Sequence, residues 1–149
     1  ALARLCAAGY RLYVVSNQAG VAKGLYSRET LNDMTAKMQR ECAPGAFFSG
    51  VFYCTHLPEE GCACRKPNTG SLAEVFESLI RQGSGIDRQA SFFVGDSELD
   101  VLTGKAAGVR TILVFSGREK PGSQQAWKAQ PDHTAADLEQ ASRIILGEA

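Results

Sequence analysis

The sequence predicts one α/β domain over residues 1–149, a mostly parallel β-sheet with helices on both faces. Three observations lead there. Four short runs rich in β-branched and aromatic residues alternate with segments whose apolar residues recur at helical spacing. The strand runs are nearly continuous in hydrophobicity, as in parallel strands covered on both sides. Polar residues able to carry chemistry follow directly on three strand ends, where open parallel sheets hold their sites.

Leu2, Leu5 and Cys6 recur at helical spacing before Gly9, a stop signal. Tyr10–Val15 reads as the first strand, ended by the polar turn Ser16-Asn17-Gln18-Ala19-Gly20. Ser27 is placed to cap a helix whose apolar residues are Leu31, Met34 and Met38. Gly50–Tyr53 is the second strand and leads into Cys54. Thr69 is placed to cap a helix through Leu72, Val75, Phe76, Leu79 and Ile80, which Gly83-Ser84-Gly85 ends. The third strand, Ser91–Val94, runs into Gly95-Asp96-Ser97; a helix over Glu98–Ala107 follows, closed by Gly108. Arg110–Phe115 is the fourth strand, Ser116–Gln130 reads as a loop, and Asp137–Leu146 as a terminal amphipathic helix.

Composition narrows the function classes. Hydrophobic residues make up 44% and charged residues 21%, enough of each for a soluble domain with a real core. Sixteen lysines and arginines balance sixteen aspartates and glutamates, so no basic excess points to a nucleic-acid partner. No apolar run reaches the roughly 18 residues of a membrane helix, and no leader-like segment precedes the first strand. The expectation is a cytoplasmic monomer whose partner is a small metabolite, with neither nucleic acid nor membrane involved.

Of five cysteines, three crowd into Cys54–Cys64 with a histidine among them: Cys54-Thr55-His56, then Cys62-Ala63-Cys64. A secreted disulfide framework spreads its cysteines, and no C-x-x-C redox pair is present, so metal binding is the better reading. Cys54, His56, Cys62 and Cys64 form a Cys₃His set suited to tetrahedral Zn²⁺. Four protein ligands leave no open position, so the zinc is expected to be structural. Binding worth about 10–16 kcal/mol in small peptides is ample to order such a loop. Cys6 and Cys42 lie outside the pattern and read as ordinary half-buried thiols.

A second constellation suits phosphate and a hard cation. Ser16 and Asn17 follow an apolar strand, where a hydroxyl and successive N–H groups can receive phosphate oxygens. Arg65-Lys66-Pro67 leaves the cysteine loop and offers a guanidinium and an ammonium to a phosphate. Asp96 ends a strand behind Gly95, a position whose carboxylate suits Mg²⁺. Asp100, four residues on, can brace that loop or complement a helix N-terminus.

Together, Ser16-Asn17-Gln18 after a strand, Lys66 before a helix and Gly95-Asp96-x-x-x-Asp100 after a strand resemble three motifs of the haloacid dehalogenase superfamily. The Cys and His loop with Arg65-Lys66-Pro67 resembles, more narrowly, the branch of D,D-heptose 1,7-bisphosphate and histidinol-phosphate phosphatases. The resemblance covers roughly residues 1–115. It implies a Rossmann-like sheet and Mg²⁺-assisted phosphate monoester hydrolysis through an aspartyl-phosphate. By it, Ser16 and Asn17 bind the transferring phosphoryl group, Lys66 neutralises its charge, and Arg65 contacts the substrate beyond it. Asp96 ligates Mg²⁺ and Asp100 supports that site. The implied substrate is a small sugar bisphosphate, with histidinol phosphate or another small monoester as the alternative.

The family's first motif, a strand ending in Asp-x-Asp that supplies the nucleophile, has no counterpart: no Asp-x-Asp occurs in the sequence. By the resemblance that nucleophile lies upstream of Ala1 on a central strand of the sheet. The 149 residues alone are then expected to show no phosphatase activity. The competing reading is a zinc-stabilised binding or regulatory domain without a nucleophile.

Overall fold

The structure is a computed structural model that describes residues 1–148. The described residues form five helices and five strands, alternating except for β4 and β5, with two short 3₁₀ turns at Pro58–Glu60 and Ser123–Ala126. Helix α1 (Leu2–Ala7) leads into β1 (Leu12–Asn17), then α2 (Arg28–Cys42) and β2 (Phe48–Cys54). Helix α3 (Gly70–Arg81), β3 (Phe92–Gly95), α4 (Glu98–Ala107) and β4 (Arg110–Val114) follow. The chain ends in β5 (His133–Ala135) and α5 (Leu138–Leu146). No helix among the described residues is long and apolar enough to cross a membrane.

Local chemistry accounts for the helix ends. Ser27 Oγ accepts the N–H of Thr30, and Asp137 accepts that of Gln140, each satisfying a donor the first helical turn leaves free. Gly108 ends α4 at φ 73°, a left-handed conformation that glycine adopts without penalty. Thr69 precedes α3 as expected but makes no capping hydrogen bond; there Ser71 Oγ donates to the Cys64 carbonyl instead.

All strand pairs are parallel, in two groups: β1 with β2, and β3–β4–β5. Only β4, with a neighbour on each side, is buried along most of its length. Its Ile112 and Val114 join Ala135 and Ala141 in the core, with Phe92, Val94, Ile144 and Ile145 against them. The residues of β1 and β3 are half-buried throughout, because each has one edge without a partner strand. Between them lies a cleft of about 490 Å³, lined by Tyr13 and Val15 of β1 and by Phe93 and Val94 of β3. Leu5 and Val75 also line it.

Several boundaries differ from the sequence reading. β1 begins two residues later and includes Ser16 and Asn17, which pair with Tyr53 and Cys54 rather than forming a turn. β2 likewise extends to Cys54, so the first cysteine sits on the sheet. β3 includes Gly95. β5 carries no recognisable pattern, because it is three residues long and exposes His133 and Thr134.

β5 is held by one carboxylate. Asp132 Oδ2 accepts the backbone N–H and the hydroxyl of Thr111, each at 2.8 Å, while Oδ1 pairs with Lys105 of α4. Burial opposes the charge, but the Lys105 ammonium and the Thr111 donors outweigh it and hold the carboxyl down at about 2. A carboxyl lowered on folding contributes stability above its unfolded pKa of 3.8 and loses it as pH falls towards 2. Asp132→Ala leaves the fully buried Thr111 N–H without a partner and should cost about 2 kcal/mol at pH 7. Urea unfolding of both forms between pH 7 and pH 2 should show that difference narrowing below pH 4.

Candidate active site

Lys66 is the meeting point of the two strand groups. Its Nζ donates to the Val15 carbonyl of β1 at 3.1 Å and to Asp100 Oδ1, at the start of α4, at 2.6 Å. The two charged side chains are 14% and 7% exposed, so water weakens the pair little. The ammonium also lies 5.7 Å from the centre of the Phe93 ring. Its main chain is fixed too: Asn17 Oδ1 accepts the Lys66 N–H at 3.0 Å, and Asn17 Nδ2 donates to the Lys66 carbonyl at 3.2 Å. Both ends of the Asn17 amide are therefore turned onto Lys66, where the sequence suggested a phosphate contact.

Asp100 uses its second oxygen equally fully. Oδ2 accepts the backbone N–H of Asp96 at 3.2 Å, that of Ser97 at 3.1 Å and the Ser97 hydroxyl at 2.6 Å. Ser97 is the N-cap of α4, and the Asp100 side chain reaches back to its backbone N–H as in one half of a capping box. With both oxygens engaged, Asp100 acts as a brace between Lys66 and the Asp96 turn. Gly95 makes this possible, since a Cβ there would meet Asp100 Cβ and Cγ at 2.3 Å.

Asp96 emerges from the end of β3. Its Oδ2 accepts the N–H of Arg118 at 2.9 Å, whereas Oδ1 has no hydrogen bond among the described residues. A hard carboxylate oxygen at a strand's carboxyl end, free of protein partners, fits the donor that Mg²⁺ takes from a protein. Ser16 Oγ accepts from Gln18 Nε2 at 3.0 Å, which leaves its own O–H to donate elsewhere. Gln18 is in turn held by the Tyr26 hydroxyl at 2.6 Å. Arg65 is turned onto the cysteine loop, its guanidinium donating to the His56 carbonyl at 3.3 Å. The sequence reading did not single out Tyr26, Gly117 or Arg118; their part comes from loop folding that no periodicity signals.

The second cluster is compact. Cys54 Sγ lies 3.5 Å from Cys62 Sγ and 3.6 Å from His56 Nδ1; Cys64 Sγ lies 3.5 Å from Cys62 Sγ and 3.3 Å from His56 Nδ1. All four ligand atoms are within 4.8 Å of one another. A tetrahedron with metal–sulfur bonds of about 2.3 Å has edges near 3.7 Å, so the set fits one metal ion with little movement. Burial and the neighbouring Cys54 and Cys62 sulfurs push the Cys64 thiol up to about 12. At Cys62 burial opposes ionisation, yet hydrogen bonds with Cys54 and Cys64 bring the thiol down. A divalent cation bound to this set would favour the thiolate forms, since a coordinating thiol is held deprotonated.

A family model for HAD-hydrolase-like proteins matches residues 63–141. The D-glycero-D-manno-heptose-1,7-bisphosphate 7-phosphatase of Chlorobaculum tepidum is 33% identical over 150 residues, spanning 95% of this chain and 75% of that protein. The chain belongs to the HAD-like hydrolase family. Another relative of this HAD-like hydrolase is the D-glycero-beta-D-manno-heptose-1,7-bisphosphate 7-phosphatase of Pseudomonas putida. It is 36% identical over 149 residues, covering 98% of this chain and 81% of that one. A solved structure, D,D-heptose 1,7-bisphosphate phosphatase from B. bronchiseptica complexed with magnesium and phosphate, matches with a TM-score of 0.88 and 32% identity. That match covers 99% of this chain and 80% of the other. The α/β fold with parallel strands expected from the sequence is thus the fold of HAD phosphatases.

The brace has a measurable weight. Asp100→Ala leaves the half-buried Lys66 ammonium without its carboxylate and should lower unfolding free energy by about 3 kcal/mol. Chemical denaturation at pH 7 measures it, and a loss below about 1 kcal/mol would mean that the pair joins nothing.

Proposed function

We propose that this HAD-like hydrolase removes a phosphate from a small sugar bisphosphate of the D-glycero-D-manno-heptose 1,7-bisphosphate type, at the 7-position, with Mg²⁺. The observation that carries this reading is the convergence of Lys66, Asp100 and Asp96 at the carboxyl ends of β1 and β3, beside Ser16. The printed activities of the Chlorobaculum and Pseudomonas relatives supply the substrate class. Mg²⁺ is the ion in the Bordetella crystal structure, and Asp96 Oδ1 offers it a suitable oxygen.

In this reading the nucleophilic carboxylate lies upstream of Ala1, on a strand that seats in the cleft between β1 and β3. The parallel direction of both flanking strands and the apolar walls of the cleft support that placement. The carboxylate oxygen attacks phosphorus, the bond to the sugar oxygen breaks, and that oxygen takes a proton from the second aspartate of the same upstream Asp-x-Asp motif, which later takes one back from the attacking water. Water then attacks phosphorus of the aspartyl-phosphate, releasing inorganic phosphate and restoring the carboxylate. Mg²⁺, when bound, supplies positive charge to the phosphoryl oxygens. Lys66, held by Val15 and Asp100, supplies a second fixed cation without reorganisation cost, and the Ser16 hydroxyl a hydrogen bond. Asn17 acts through its grip on Lys66 and, with Ser16, borders the phosphoryl site. Arg65, next to Lys66 in the chain, addresses the part of the substrate beyond the reacting phosphate.

The same reading assigns Zn²⁺ to Cys54, His56, Cys62 and Cys64 in a structural role, fastening the loop that carries Arg65 and Lys66. It describes a cytoplasmic monomer whose partner is the phosphorylated metabolite.

The test is phosphate release by the chain expressed together with the coding sequence that precedes Ala1. Turnover of the heptose bisphosphate should require Mg²⁺ and fall about 10³-fold in Asp96→Asn, while the 149 residues alone release no phosphate. Preference for histidinol phosphate would replace the substrate assignment, and no turnover of any monoester would favour a binding domain. Separately, Cys62→Ser should abolish bound zinc, measured by metal analysis, and lower the melting temperature. Full zinc content in that variant would contradict the assignment.

A further inference from the structure

The turn after β4 folds back over the end of β3 and closes on Asp96. Arg118 N–H donates to Asp96 Oδ2 at 2.9 Å, and Glu119 N–H donates to the Asp96 main-chain oxygen at 3.2 Å. A Cβ on Gly117 would stand 2.1 Å from Asp96 Oδ2, 2.6 Å from its Cβ and 2.7 Å from its Cγ. Gly117 is not among the glycines with positive φ, so what the position demands is space rather than a left-handed backbone. The main chain lies directly against the carboxyl group, and one oxygen of that group is occupied while the other stands free.

A carboxylate free to rotate about its terminal torsion offers a cation either oxygen, or both together. Holding one oxygen with a backbone donor removes that rotation before the metal arrives and favours coordination through a single oxygen. Mg²⁺ demands near-ideal octahedral geometry, whereas the larger Ca²⁺ accepts bidentate carboxylates and irregular shells. Groups that orient a metal ligand typically govern affinity by 10–100-fold when removed.

We propose that Gly117 and the Arg118 N–H are positioning residues of the cation site: they fix Asp96 so that Oδ1 alone meets the metal, and thereby favour Mg²⁺ over Ca²⁺. This rests on the reading of Asp96 as the Mg²⁺ ligand. Gly117 contributes through the absence of a side chain, and Arg118 through its backbone.

The experiment is a Mn²⁺ titration followed by electron paramagnetic resonance, with Mg²⁺ and Ca²⁺ as competitors and no substrate present. It uses the protein carrying the sequence upstream of Ala1. Gly117→Ala should weaken Mg²⁺ binding by about 10–100-fold and narrow the preference over Ca²⁺, with zinc content and melting temperature unchanged. Turnover should return at saturating Mg²⁺, which a loss of fold would not allow. Arg118→Pro removes the N–H itself and should move affinity and selectivity the same way; it decides the matter if the alanine variant does not fold. Unchanged Mg²⁺ affinity and selectivity in either folded variant would overturn the inference while leaving the phosphatase reading intact. Absence of any Mn²⁺ or Mg²⁺ binding by the unaltered protein would overturn the phosphatase reading, and this inference with it.

Discussion

The buried ionic link between the two strand groups is one ammonium group, beside the more exposed contacts of Arg4 with Glu139 and Glu148. No strand pairing joins the β1–β2 group to the β3–β4–β5 group among the described residues. Lys66 spans that division, from the Val15 carbonyl on one side to Asp100 on the other. Asp100 passes the connection on to the Asp96 turn, and Asn17 fixes Lys66 from behind. A buried ion pair contributes little net stability compared with an apolar packing of the same shape. What this one provides is position: the group that would meet a phosphate is the group that registers the two halves.

Close backbone approach is the second device. At Gly95 and Gly117 an added Cβ would collide with the carboxyl groups of Asp100 and Asp96 respectively. Each carboxylate is thereby brought within reach of main-chain N–H groups, which hold it without the entropy loss of a long side chain. The acidic residues can thus sit near one another at the strand ends with defined orientations. Among the described residues, Asp96 keeps Oδ1 outside these bonds, whereas both oxygens of Asp100 are engaged.

Much of this was legible in the sequence. The start of α2 was marked by Ser27 and the end of α4 by Gly108, because capping is local chemistry. The parallel sheet followed from apolar runs, and the Cys and His cluster from ligand spacing that the fold gathers within 4.8 Å. The carry-through of Ser16 and Asn17 into β1 was hidden because polar residues after an apolar run look like a turn; their pairing with Tyr53 and Cys54 is tertiary. The same holds for Gln18 with Tyr26 and for Gly117 with Asp96, contacts between residues in loops of no fixed period. Strand β5 depends on Asp132 finding Thr111, 21 positions away in the chain, and three residues carry no periodic signal of their own.

The unequal covering of the strands also sets how the molecule opens. Amides of β4 are bonded on both sides and shut away from water, so their hydrogen exchange must wait for cooperative opening of the β3–β4–β5 unit. Amides on the bare edges of β1 and β3 exchange through small local fluctuations. Those edges are also templates for any extended chain that can align in parallel beside them. An occupant of the cleft would cover both edges at once and block such pairing.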